Sequence, residues 1–248
     1  MMLTLALTMV AAAAEQPAII DVEIAKTVAT PEYRPLVAHY AQCIVERDHT
    51  EASDFVLRKN VEWTKSGQSK VRKLIDKSCV PSQATQVQAA TLKKMTVEML
   101  RSPIADALVR FELSTSDPAL IVTAQPLPSA GLVESLWPSA ACKKCNAEQR
   151  KEFDEARVRT SASMAPYIFA ECAVRTDPGN AHKLLMSEMN SADESSAFAG
   201  LAPAFSQCVA EDAKINSSRT VLRGLIALSY YRLAHAPRVG AAAQEAAQ

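Results

Sequence analysis

Cys142-Lys143-Lys144-Cys145 is the one local motif whose residue types and spacing could do chemistry. Two thiols three residues apart can form a redox pair, and Lys143, Lys144 and a helix starting at Asn146 would favour the thiolate. The surrounding pattern lacks the βαβ context of a thioredoxin-like site. Asn146 stands where a c-type haem motif needs its His, and a zinc site needs a second C-x-x-C. The motif therefore reads as a small structural disulfide pinning a linker, with thiol–disulfide exchange through Cys142 and Cys145 as the rival. His39, His49, His182 and His235 lie far apart along the chain, so no H-E-x-x-H can be written, and each reads as a surface or boundary residue. The 6 glycines are too widely spaced for a G-x-G-x-x-G, a Walker loop or a G-x-S-x-G elbow. No catalytic, cofactor-binding or metal-binding residue is assigned.

The other four cysteines point to architecture. Cys43 and Cys79 are 36 residues apart, as are Cys172 and Cys208, and the two pairs are offset by 129. The flanks match at that offset. Tyr40-Ala41-Gln42-Cys43-Ile44-Val45 falls on Phe169-Ala170-Glu171-Cys172-Ala173-Val174, Asp48 on Asp177, Ala52 on Ala181, and Phe55-Val56 on Leu184-Leu185. Beyond the second Cys the offset becomes 122, where Leu100-Arg101-Ser102-Pro103-Ile104-Ala105 falls on Leu222-Arg223-Gly224-Leu225-Ile226-Ala227, and Arg110 on Arg232. The first copy thus holds seven extra residues. This pattern reads as a duplication. If both copies fold alike, Cys43 pairs with Cys79 and Cys172 with Cys208, which leaves Cys142 with Cys145. Closing loops of that length stabilises by about 4 kcal/mol in the chain-entropy model. Each copy is expected to carry its own core.

The elements that must position these residues are helices. Leu36, Tyr40, Cys43 and Ile44 share one helical face, and Ala165, Phe169, Cys172 and Ala173 repeat it. Asp48 with Glu51, Asp177-Pro178, Ser191 with Glu194, and Asn216 or Ser217 mark helix starts. A first-copy helix spans about Gln86 to Phe111, kinked or restarted at Pro103. A further helix follows Asn146 through the charged run to Arg159, and a short strand or extended arm is expected over Ala18 to Ile24. The predicted fold is all-α, with two duplicated units of three to four helices, each stapled by one disulfide. Residues 1–14 form a signal peptide, 31–113 unit 1, 114–160 a linker with the CxxC, 161–236 unit 2, and 237–248 a flexible tail.

Composition fits that picture. The chain has 248 residues, 27 basic and 27 acidic side chains, and is 48% hydrophobic. That excludes disorder by low hydrophobicity and gives no electrostatic reason to expect nucleic acid. Met1 to Ala14 is uncharged and largely apolar and ends in Ala12-Ala13-Ala14, the pattern of a secretory signal peptide. No apolar run reaches the roughly 20 residues that a transmembrane helix needs. The expected location is periplasmic or secreted. Arg58, Lys59, Lys65, Lys70, Arg72, Lys73 and Lys77 face only Glu62 and Asp76 in the same stretch. They read as a solvated helix face, with an envelope polyanion as the alternative partner.

The paired Ala-x-Cys-x-Val segments (Ala41 to Val45, Ala170 to Val174) and the Leu-Arg-small-x-Ile-Ala segment that closes each copy resemble a group of small exported alphaproteobacterial proteins of the sphingomonad type. The resemblance covers about 150 residues, implies location and fold, and supplies no catalytic residues. The functional expectation is a non-catalytic helical binding or scaffold protein of the periplasm, its partner an envelope protein or polyanion.

Overall fold

A computed structural model of the chain describes residues 22–58, 74, 77–138, 140–209 and 217–238. The described residues form ten α-helices: α1 Val22–Val28, α2 Arg34–Arg47, α3 His49–Leu57, α4 Gln86–Leu92, α5 Val97–Glu112, α6 Ser129–Leu136, α7 Ala147–Thr176, α8 Pro178–Met186, α9 Ala192–Cys208 and α10 Arg219–Ala234. No described residue belongs to a strand; only an isolated bridge links Ala124 to Arg238. The all-α class is as expected. The N-terminal segment of residues 1–14, the basic side chains from Lys59 to Lys73, and residues 239–248 of the tail lie outside the described residues.

Local chemistry sets several helix starts. Asn146 accepts from Gln149 N at 2.9 Å while Gln149 reaches back to Asn146 N at 3.1 Å, a reciprocal cap that fixes the start of α7. Thr85 and Gln88 do the same for α4. Asp177 caps α8 through Asn180 N, with Pro178 opening the helix, and Ser191 caps α9 through Glu194 N.

Other expectations need correction. Asp48 makes no cap bond to α3; its carboxylate accepts from Arg47 Nε instead. The last helix is capped by Ser218. The helix expected from Gln86 to Phe111 breaks at Lys93–Thr96, and Pro103 sits inside α5. Val22 to Ile24, expected to be extended, is helical. The linker boundary at 160/161 falls inside α7, which runs unbroken past Pro166.

Three disulfides join Cys43 to Cys79, Cys172 to Cys208 and Cys142 to Cys145, with Cα–Cα distances of 5.5, 5.8 and 5.0 Å. This is the pairing that the spacing predicts. The separate cores are not found. One hydrophobic cluster takes Tyr40, Ile44, Leu100, Ile104 and Leu108 together with Leu184, Leu185, Leu201, Tyr230 and Tyr231. Its centre is the packing of α5 against α2 and α10, with α7 also packed against α10. Gly224 makes the closest approach possible: a Cβ there would lie 2.8 Å from Ser102 Cβ, so any side chain would push the two helices apart.

Helix limits in the two Cys-paired segments correspond. Both ends of α3 and α8 are 129 residues apart, and both ends of α5 and α10 are 122 apart. Their arginines at the matched position also correspond, Arg223 buried and Arg101 partly so. Arg101 Nη2 donates to the carbonyls of Val56 and Arg58 at the end of α3. Arg223 Nη2 donates to Leu185 and Ser187 at the end of α8, both at 3.1 Å. Each helix end then takes a second arginine from the opposite segment: Arg232 donates to Val56 and Arg58 at 3.0 and 3.1 Å, and Arg110 to Ser187. The last carbonyls of a helix lack intrahelical partners and carry partial negative charge, so cations satisfy them. Burial pushes the Arg232 guanidinium below its usual value.

Candidate functional site

The most concentrated buried charge lies where the two segments meet. Arg34 of α2, Asp106 of α5, Glu194 of α9 and Arg223 of α10 are 6%, 4%, 1% and 2% exposed. Arg34 holds Glu194 bidentately through Nη1 (3.0 Å) and Nη2. Arg223 Nε lies 3.0 Å from Asp106 Oδ2, and its Nη1 lies 2.9 Å from Glu194 Oε1. Asn190, in the left-handed region at φ 64°, donates its N–H to Glu194 at 2.9 Å and accepts from Arg34 Nη1 at 2.6 Å. Burial works to raise the Glu194 carboxyl, but hydrogen bonds from Arg34, Asn190 and Arg223 outweigh it and hold the group below its usual 4.5. Burial likewise opposes the Arg223 cation, yet Asp106 and Glu194 together keep it above its ordinary value.

Beside this cluster lies a cavity of about 300 Å³ between α1, α2, α5 and α10. Val28, Val37, Met95, Met99 and Leu225 supply apolar wall, and Arg34, Asp106 and Arg223 form part of its lining. Arg34 Nε is buried and has no hydrogen-bond partner. A buried unmet donor on a charged group is costly and calls for an acceptor. Pockets of this kind, mostly apolar with a few fixed polar groups, are the usual form of a small-molecule site.

A second cluster gathers histidines that sequence spacing keeps apart. His49 Nε2 lies 2.6 Å from Glu112 Oε1 and His235 Nε2 lies 3.2 Å from Glu112 Oε2. The Tyr231 hydroxyl lies 2.7 Å from both Glu112 Oε1 and Ser53 Oγ. A carboxylate can only accept, so Tyr231 donates to Glu112. Burial, chiefly, and the nearby carboxylate push the Tyr231 phenol well above its ordinary value. No group of three or more His, Cys, Asp or Glu able to hold a metal ion occurs among the described residues. His182 contacts the Leu113 carbonyl at 3.0 Å, and His39 is exposed.

Cys142 and Cys145 sit in the turn before α7, with Cys142 buried and Cys145 partly exposed. Arg150 holds the Cys142 carbonyl at 3.1 Å. Trp137, the Arg157–Glu134 ion pair and the Trp137–Phe153 edge contact fasten α6 along the first half of α7. None of the cavity residues named here comes from this hairpin.

Sequence reading missed Arg34 and Asp106, noticed Glu194 as part of a helix start and Arg223 only as part of a matched segment. The available signal was a charge inside an apolar helical face: Arg223 between Leu222 and Ile226, and Asp106 between Ile104 and Leu108. Comparison with family models, curated proteins and solved structures finds no match to this chain.

Proposed function

We propose that the chain is an exported, non-catalytic helical binding protein, built by duplication, whose ligand seat is the cavity beside Arg34. The observation that carries this reading is the cavity itself, about 300 Å³ and largely apolar, with Arg34, Asp106 and Arg223 of the buried charge cluster in its lining. The duplication is supported by the matched helix limits and by the paired arginine-to-carbonyl bonds of Arg101 and Arg223. Export is supported by the apolar Met1 to Ala14 start, by the resemblance to exported sphingomonad-type proteins, and by three disulfides, which form in oxidising compartments. No described helix is long and apolar enough to cross a membrane.

Benzene tests the seat, because it probes an apolar cavity without asking anything of the polar groups. It should raise the melting temperature with concentration, as any ligand of the native state does. Met99→Trp, which fills the cavity from its wall, should abolish that rise with helicity unchanged. A benzene response identical in both proteins overturns the reading. For export, the mature N-terminus should lie at or near Glu15, and an intact Met1 in a cytosolic fraction would overturn it.

The rival, thiol–disulfide exchange through Cys142 and Cys145, is favoured by their place just before the N-terminus of α7. A reduction potential within the oxidoreductase range would support it, and resistance to reduction would support a structural pair.

A further inference from the structure

We propose that the first half of α7 is a docking surface for a second copy of this chain, the two helices lying antiparallel about a two-fold axis level with the Glu152–Phe153 peptide. This goes beyond the binding reading above and does not depend on it.

No residue of α7 before Ala170 is buried. A helix that buries so little gains little from packing. Yet this one is firmly held, by the Asn146–Gln149 cap, the Cys142–Cys145 bridge and the contacts of Glu134 and Trp137 on one side. On the opposite side Ala147, Arg150, Lys151, Asp154, Glu155 and Val158 recur at helical spacing, and all are exposed, Val158 at 67%. The order of their charges does little for the helix itself. Two cations, Arg150 and Lys151, precede two carboxylates, Asp154 and Glu155, one turn on, whereas the carboxylate-first order is the favourable one within a helix. Arg150 is spent on the Cys142 carbonyl, and Glu155 lies 3.7 Å from Arg159. Lys151 and Asp154 form no ion pair among the described residues.

A second copy supplies the missing partners. Set antiparallel about that axis, Lys151 comes level with Asp154 of the second copy, Arg150 with Glu155, Glu148 with Arg157, and Ala147 with Val158. The two-fold repeats each pair, and no like charges come level between Ala147 and Val158. A parallel pairing would set like over like. The antiparallel sense also sends the buried half of each α7 past the CxxC turn of the other copy, so the two cores lie at opposite ends. The contact spans roughly 17 Å of one helix pair. That is small against the ~800 Å² per partner of a standard interface, so the dimer is weak and sensitive to salt.

Sedimentation equilibrium on the disulfide-bonded protein, at low salt and up to about 1 mM, tests this. The native chain should form a dimer that weakens as salt is added. Lys151→Glu leaves only carboxylates at the centre of the contact and Asp154→Lys only ammonium groups, so each variant alone should dimerise at least about tenfold more weakly. Mixed, the two variants should form a heterodimer about as tight as the native dimer. The double variant Lys151→Glu with Asp154→Lys should recover the homodimer. Both positions are exposed, so helicity should stay unchanged in every variant. A native chain that stays monomeric throughout, a dimer indifferent to both charge reversals, or two variants that do not pair when mixed each overturns the proposal.

Discussion

Replacing Arg223 by Met tests whether the buried charge cluster holds the two halves of the molecule together. The guanidinium is 2% exposed and meets Asp106 at 3.0 and 3.3 Å, Glu194 at 2.9 Å, and the carbonyls of Leu185 and Ser187 at 3.1 Å. Methionine replaces much of the stem and none of the donors. Glu194 would keep Arg34, but Asp106, 4% exposed, would keep only Arg110 at 3.9 Å. Breaking a buried pair from one side costs about 3–5 kcal/mol, most of it from the charge left behind. Against a total stability of about 5–15 kcal/mol that is a large fraction. For a chain of this size it corresponds to a fall in melting temperature of roughly 6–20 °C. The double variant Arg223→Met with Asp106→Leu removes the orphaned carboxylate. Leu228 stands at the matching position of α10, so leucine suits this helix face. The double variant should recover about 1–3 kcal/mol relative to Arg223→Met alone, the size of the penalty for an unsatisfied buried group. Urea unfolding followed by circular dichroism, with disulfides intact, measures both. A cost under about 1 kcal/mol for Arg223→Met, or strict additivity of the two changes, would refute this account of the cluster.

Three more predictions follow from the same structure. Glu194 titrates below its usual 4.5 in the folded protein, so the stability it contributes is present above that pH and disappears as pH falls through the folded value. Glu194→Gln should therefore flatten the acid limb of the stability profile below about pH 4.5. Removing the Cys172–Cys208 bridge by paired Ala substitution should cost about 2–5 kcal/mol, read by chemical denaturation, and non-reducing peptide mapping should recover the three bridges. Replacing Cys142 and Cys145 by Ser closes no long loop, so the loss should be about 2 kcal/mol or less with unchanged far-ultraviolet dichroism.

Much of the secondary structure was legible because its signals are local. Asn146 with Gln149, Asp177-Pro178 and Ser191 with Glu194 place helix starts through bonds that span three residues. The bridge between Cys43 and Cys79 and that between Cys172 and Cys208 were legible for another reason: equal spacing inside matched flanks points to equal geometry. Local rules failed at Asp48, where Arg47 takes the carboxylate, and at Pro103, where burial of Leu100, Ile104 and Leu108 sustains the helix across the proline.

What lay beyond the sequence was the meeting of the halves. The apolar faces of α5 and α10 each could have closed a core of their own, and nothing along the chain says that they close one together. That depends on Gly224 letting α10 approach Ser102, a contact between residues far apart in the chain. Once the helices meet, Asp106 reaches Arg223, Arg34 reaches Glu194, and His49 and His235 share Glu112. Helix propensity and loop closure act over short or countable stretches of chain and can be read from it. Pairing of buried charges, and the cavity left beside them, exists only after distant surfaces have excluded water from one another.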